Sequence, residues 1–143
     1  MREAIMATNL IRAFLIYAEE DYKFRDLLLS QAKASALAVE FAEMPTKQPW
    51  VERWKGVCRT RVFECDGAIV LVSKRTKQGT GVKWELECVV NSGIPVLGVY
   101  VEKCERSAVQ DEIDDTQVIE WNWKDIATFI QSLQKPMHHK GAK

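Results

Sequence analysis

The chain has 143 residues, the size of one ordinary domain, and its 20 basic and 20 acidic side chains cancel to a formal charge of zero. With no polybasic run, that balance argues against a nucleic-acid footprint or a charged membrane contact. No apolar stretch reaches the length of a bilayer span, and MREAIMATNLIRAF lacks the apolar core and cleavage site of a secretory leader, so a cytoplasmic protein is expected. The four cysteines, Cys58, Cys65, Cys88 and Cys104, form no CxxC pair and no cluster with histidine, which argues against a zinc or dithiol site. The histidines, His138 and His139, lie in the polar end KPMHHKGAK, far along the chain from any cysteine they would have to activate.

In chain order, RAFLIY (12–17) is a compact β-rich run, and the acidic AEED leads into a helical pattern through Phe24, Leu27 and Leu28. LAVEF (37–41) reads as the second strand. Glu43 to Pro49, with two prolines, reads as an exposed loop before a helix over VERWKGVCRTRVFEC. AIVLVS (68–73) is nearly all apolar, as expected for a strand covered on both faces at the centre of a parallel sheet. KRTKQGTG follows as a polar loop, Thr80 is placed to cap the next helix, and Ser92-Gly93 ends that helix before IPVLGVYV supplies a fourth strand. Residues 105–117 are polar and acidic and read as a solvated connector. VIEW gives a short fifth strand, and Trp123 to Leu133 gives an amphipathic closing helix that stops near Pro136.

Five strands alternating with helices predict an α/β fold: a flavodoxin-like, doubly wound parallel five-stranded sheet with helices on both faces. We expect one domain over 1–143, with 1–11 as an N-terminal extension and 136–143 as a disordered tail. Ligands of such a sheet gather at the carboxyl ends of its strands, here Tyr17 to Asp21, Phe41 to Trp50 and Ser73 to Gly81. The first turn, AEEDYK, has no glycine, which excludes the usual phosphate-binding and dinucleotide-binding loops and a flavodoxin-type flavin site. Ser73 stands where a phosphate-accepting receiver domain would need aspartate.

The helix over TGVKWELECVV begins at that same end of the sheet. At 100° per residue Val82, Leu86, Val89 and Val90 share an apolar face, Glu87 points away from it, and Glu85 lies on its border. Glu87 reads as a solvated charge. For Glu85 the pattern leaves two roles open, chemistry in the crevice or a buttressing hydrogen bond to the loop.

FLIYAEED, CDGAIVLVS and TGVKWELECVVNSGIPVLGV together resemble the TIR-like domains of bacteria, and among them the stand-alone TIR-like proteins of Thoeris anti-phage defence. The resemblance covers about residues 12–101 and is sharpest from Ser73 to Gly93. It implies an enzyme that cleaves the nicotinamide–ribose bond of NAD and forms ADP-ribose or a cyclic relative as a second messenger. It also implies that one glutamate does this, eight residues before the glycine ending the helix, which is the spacing of Glu85 to Gly93. A carboxylate suits that chemistry because loss of nicotinamide leaves an oxocarbenium-like ribose. NAD is then the substrate, with no metal or separate cofactor.

The resemblance further places Tyr17, Ala18, Glu19 and Ser73 along the nucleotide pocket. Trp50 is a candidate for stacking on adenine or nicotinamide, or alternatively for packing its loop onto the second helix. Trp84 is a candidate for the pocket rim or a partner surface, and Asp21 suits a helix cap better than a substrate contact. Ile16 departs from the family, many of whose members carry serine there, and Thr80 or Gly81 replaces the serine often found before the helix. Expected partners are NAD, further copies of the chain, a phage-derived trigger and an effector reached through the diffusible product. The alternative reading is a non-catalytic TIR-like adaptor that works through protein–protein assembly.

Overall fold

The computed structural model describes residues 10–103, 113 and 117–134; the tail, residues 1–9 of the N-terminal extension and nearly all of segment 105–117 lie outside them. Five strands, β1 (Ile11–Ile16), β2 (Val39–Ala42), β3 (Gly67–Val72), β4 (Val96–Tyr100) and β5 (Val118–Glu120), pair in the order β2-β1-β3-β4-β5. Every pairing is parallel, with Ile11 opposite Val39, Ala13 opposite Gly67, Ala68 opposite Val96 and Gly98 opposite Val118. The flavodoxin-like sheet expected from the alternation is therefore present.

Among the described residues four helices cover it: α1 (Tyr22–Ala34), α2 (Glu52–Phe63), α3 (Val82–Ser92) and α4 (Trp123–Ser132). Successive strand residues face opposite sides of the sheet, so β1 sends Phe14 and Ile16 to one core and Ile11 and Leu15 to the other. Trp54, Cys58 and Val62 of α2 and Val82, Leu86 and Val89 of α3 fill the first core. Leu28 of α1 and Ile126 and Ile130 of α4 fill the second. β3 is buried at all six positions, which is why its sequence is an unbroken apolar run.

Several local expectations are corrected. Leu27 and Val90 are exposed rather than core-facing, Leu29 packs in place of Leu27, and Glu87 is half-buried. The loop after β2 is not wholly exposed, because it buries Met44 and Lys47. Thr80 does not cap α3; Gly81 holds the N-cap position with φ +81°, a left-handed conformation that glycine adopts without the Cβ clash other residues meet. At the start of α4, in contrast, the side chain of Asn122 accepts the Asp125 N–H as a cap should.

Because the chain passes from β1 to β2 on one side and returns to β3 on the other, the direction of winding reverses between β1 and β3. That reversal opens a crevice at their carboxyl ends.

Candidate functional site

The floor of the crevice is a buried polar knot joining the ends of β1 and β3. The Ser73 hydroxyl donates to Asp21 Oδ2 at 2.6 Å and accepts the Arg75 N–H, while the Ser73 N–H donates to Thr76 Oγ1. Thr76 in turn donates to the Leu71 carbonyl, and Arg75 reaches both Asp21 and Glu102. Asp21, buried to 1 % exposure, occupies the N-cap position of α1 but makes no capping bond; its carboxylate serves Ser73 and Arg75 instead. The expected cap is thereby corrected. A carboxylate taken out of water needs charged and hydroxyl donors, and the start of a helix supplies only backbone N–H groups.

Glu85 forms the wall. It sits in the first turn of α3, its N–H bonded to the Gly81 carbonyl, and its side chain is fully buried. Oε2 accepts from Lys47 Nζ at 2.7 Å, whereas Oε1 is buried with no hydrogen-bond partner among the described residues. Burial pushes the Glu85 carboxyl up to about 7, the neighbouring Lys47 charge pulling the other way and Glu43 and Glu19 adding to the rise. Desolvation thus outweighs the attraction of one ammonium group.

Lys47 Nζ also lies 5.2 Å from the centre of the Tyr17 ring. The Tyr17 hydroxyl donates to Glu43 Oε1, and Arg25 holds Oε2 of the same carboxylate. Burial, with Glu43 adding to it, raises the phenol well above its ordinary value, so Tyr17 is a neutral donor. Ala18 is buried beside it, and Glu19 lies exposed in the 3-10 turn Glu19–Asp21.

Tyr17, Ala18, Ser73 and Glu85 are thus gathered, all buried, near the carboxyl ends of β1 and β3, with Glu19 exposed beside them. The two tryptophans do not join them. Trp50 is 71 % exposed and packs nothing onto α2; that packing is done by Trp54, whose indole N–H donates to the Thr46 carbonyl. Trp84 stands edge-on to Trp54 with ring centres 5.9 Å apart, and Lys55 and Arg59 lie over its face. It belongs to a groove of about 370 Å³ between α2 and α3, shared with Phe63, Glu87 and Cys88.

Sequence reasoning missed Lys47, Glu43 and Arg25. A lysine between Pro45 and Pro49 carries no local sign of burial; only the loop's return over α3 brings it to Glu85. Along edge strand β2, Tyr17, Arg25, Glu43 and Arg61 line a second cavity of about 580 Å³. Among the described residues no group of three or more His, Cys, Asp or Glu side chains could hold a metal ion. Burial raises the thiols of Cys58 and Cys65, the latter to about 12, which leaves both un-ionised and poor nucleophiles.

The sheet order defines a doubly wound, flavodoxin-like α/β domain, and a solved structure agrees with the fold. The RPS4 and RRS1 TIR domain heterodimer aligns over 87 % of this chain and 97 % of its own, with a TM-score of 0.59 and 11 % identity. The TIR domains of the activated Roq1 resistosome directly recognizing the pathogen effector XopQ align over 63 % of this chain with a TM-score of 0.48 and 18 % identity. Only 57 % of that second chain is spanned. No curated protein matches. Over residues 14–106 the sequence matches the TIR-like domain of the Thoeris protein ThsB, and the chain belongs to that family.

Proposed function

We propose that this chain cleaves the nicotinamide–ribose bond of NAD, with Glu85 as the catalytic carboxylate, and releases an ADP-ribose-type messenger, linear or cyclic, in anti-phage defence. One observation carries the reading: a carboxylate fully buried at the winding-reversal crevice, with one oxygen unused. A buried acceptor without a donor costs about 1–3 kcal/mol. Such a group suits a ligand hydroxyl, and TIR-family membership supplies the substrate class.

The C1′–nitrogen bond breaks with its electron pair leaving on nicotinamide, which becomes neutral, while positive charge grows on the ribose. Glu85 offsets that charge and accepts from a ribose hydroxyl. Water or an internal nucleophile of the ADP-ribose then attacks C1′ and gives up its proton. Tyr17 and Ala18 border the ribose, Glu19 stands at the edge, and Ser73 and Asp21 hold the floor. Assembly of several copies, prompted by a phage-derived trigger, and an effector that reads the product complete the proposal.

Nicotinamide release from NAD, measured in extracts of infected cells expressing the chain, is expected to fall at least about a hundredfold in Glu85→Gln, the scale of removing one electrostatic stabiliser. Equal release by variant and wild type would remove Glu85 from the chemistry.

A second reading has its own observation. The closed Lys47–Glu85 pair is what a purely structural ion pair looks like, and it fits an adaptor that works by assembly. Release absent from the wild type in infected extracts, with assembly intact, selects that reading.

A further inference from the structure

Two cysteines with no local relation in the sequence meet where α2 packs on α3. Cys58 of α2 is fully buried in the first core. Cys88 of α3 packs against the same core but stays half-buried, at the groove it shares with Arg59, Phe63, Trp84 and Asn91. The thiols are close enough for the Cys58 S–H to donate to Cys88, which favours the Cys88 thiolate and holds the Cys58 proton in place. We propose that Cys58 and Cys88 form a peroxide-responsive dithiol, in which Cys88 reacts first from the groove and Cys58 then closes a reversible disulfide between α2 and α3. Neither thiol takes part in the NAD cleavage read above, so the pair stands or falls without it.

Access and charge set the order of events. Burial raises the Cys88 thiol, but the Cys58 hydrogen bond and the neighbouring Arg59 guanidinium pull it back, with Glu85 and Glu87 adding to the rise. Cys58, wholly buried and the donor of that bond, is held well above its ordinary range. Of the two, only Cys88 reaches the groove, whose volume of about 370 Å³ admits a peroxide molecule. Cys65, the other cysteine among the described residues, is buried elsewhere, with its S–H donated to the Arg61 carbonyl.

The Cys88 thiolate attacks one peroxide oxygen and the O–O bond breaks. The departing hydroxide takes up the proton that Cys88 gave, leaving water and a Cys88 sulfenic acid. The Cys58 sulfur then attacks Cys88 Sγ, the S–O bond breaks, and the oxygen leaves with the Cys58 proton as a second water. Two thiols are oxidised to one disulfide while one peroxide is reduced to water. The second step needs no solvent path, so the burial of Cys58 does not prevent it. Sulfurs already in contact need little side-chain rotation to reach the roughly 2.05 Å of a bond. A reducing thiol pool would open the bridge again, which makes it a switch rather than a permanent staple. Cys88 lies one turn beyond Glu85, so the bridge would fix to α2 the helix that carries the buried carboxylate.

The full, reduced chain is treated with hydrogen peroxide, quenched with catalase, alkylated in denaturant and digested with trypsin without reduction. Mass spectrometry then reads which thiols are joined. The expected product links peptide 56–59 to peptide 84–103, with loss of two hydrogens, and outweighs every pairing of Cys65 or Cys104. The oxidised chain should unfold several degrees higher, and dithiothreitol should reverse both changes. Cys88→Ser is expected to abolish the link and leave Cys58 reduced at the same peroxide dose. Cys58→Ala is expected to stop at a Cys88 sulfenic acid that dimedone traps; if that variant does not fold, the wild type and Cys88→Ser decide. Oxidation of Cys88 without a link to Cys58 overturns the proposal. So does Cys58 oxidised as readily in Cys88→Ser as in wild type, or a link that forms only in denaturant.

Discussion

Glu85 holds its proton to a higher pH when folded than when unfolded, and this links its burial to stability. Below about 4.5 the group is protonated in both states, so the advantage of the folded site is complete there. Between about 4.5 and about 7 the unfolded chain gives up the proton while the folded one retains it, so stability falls by roughly 3 kcal/mol as pH rises through that window. Glu85→Gln lacks this titration. Urea unfolding at pH 5 to 8 should therefore show the variant gaining on wild type by about that amount as pH rises; two parallel curves would mean that Glu85 is no more buried than an ordinary surface acid.

Among the elements, the helix ends show how a backbone requirement can be met with or without the residue suited to it. α1 closes on a pair of bonds, Ala36 N–H to the Lys33 carbonyl and Leu37 N–H to the Ala32 carbonyl, which forces Ala36 to φ +59°. α3 reaches the same left-handed region with Gly93 at φ +78°, where a side chain would meet nothing but would strain the backbone. The two positions should respond in opposite directions. Ala36→Gly is expected to stabilise by about 0.5–1 kcal/mol and Gly93→Ala to destabilise by about 1 kcal/mol, both read from denaturant midpoints. A loss on Ala36→Gly would show that chain entropy outweighs the relieved strain.

At the scale of the whole molecule, the Asp21–Ser73–Arg75–Glu102 knot ties β1, β3 and the end of β4 together beneath the crevice. Ser73→Ala removes the hydroxyl that joins Asp21 to the Arg75 backbone and leaves a buried carboxylate with one donor fewer. The expected cost is about 1–3 kcal/mol in equilibrium unfolding, with hydrogen exchange faster at the Arg75 and Thr76 amides than at the centre of β3. Unchanged exchange there would mean that the knot is not what holds the 3-10 turn Thr76–Gln78. Among the described residues no helix is long and apolar enough to cross a membrane.

Much of this architecture was legible in the chain. Continuous apolar runs marked β1, β3 and β4 because parallel strands are covered on both faces, and helical spacing placed Val82, Leu86 and Val89 inward. Glu85 on the border of that face, eight residues before Gly93, was the residue to single out. The pattern could not show how deep the border lies, or that Val90 stays wet.

The sequence by itself determined strand–helix alternation, the sheet class and the crevice end, since these follow from periodicities of two and 3.6 residues and from where apolar runs stop. Only the tertiary structure decided what Glu85 and Asp21 touch. Lys47 reaches Glu85 across 38 positions and Ser73 reaches Asp21 across 52. No local pattern encodes such pairs, because the partner of a buried charge is chosen by which loop the fold returns to it.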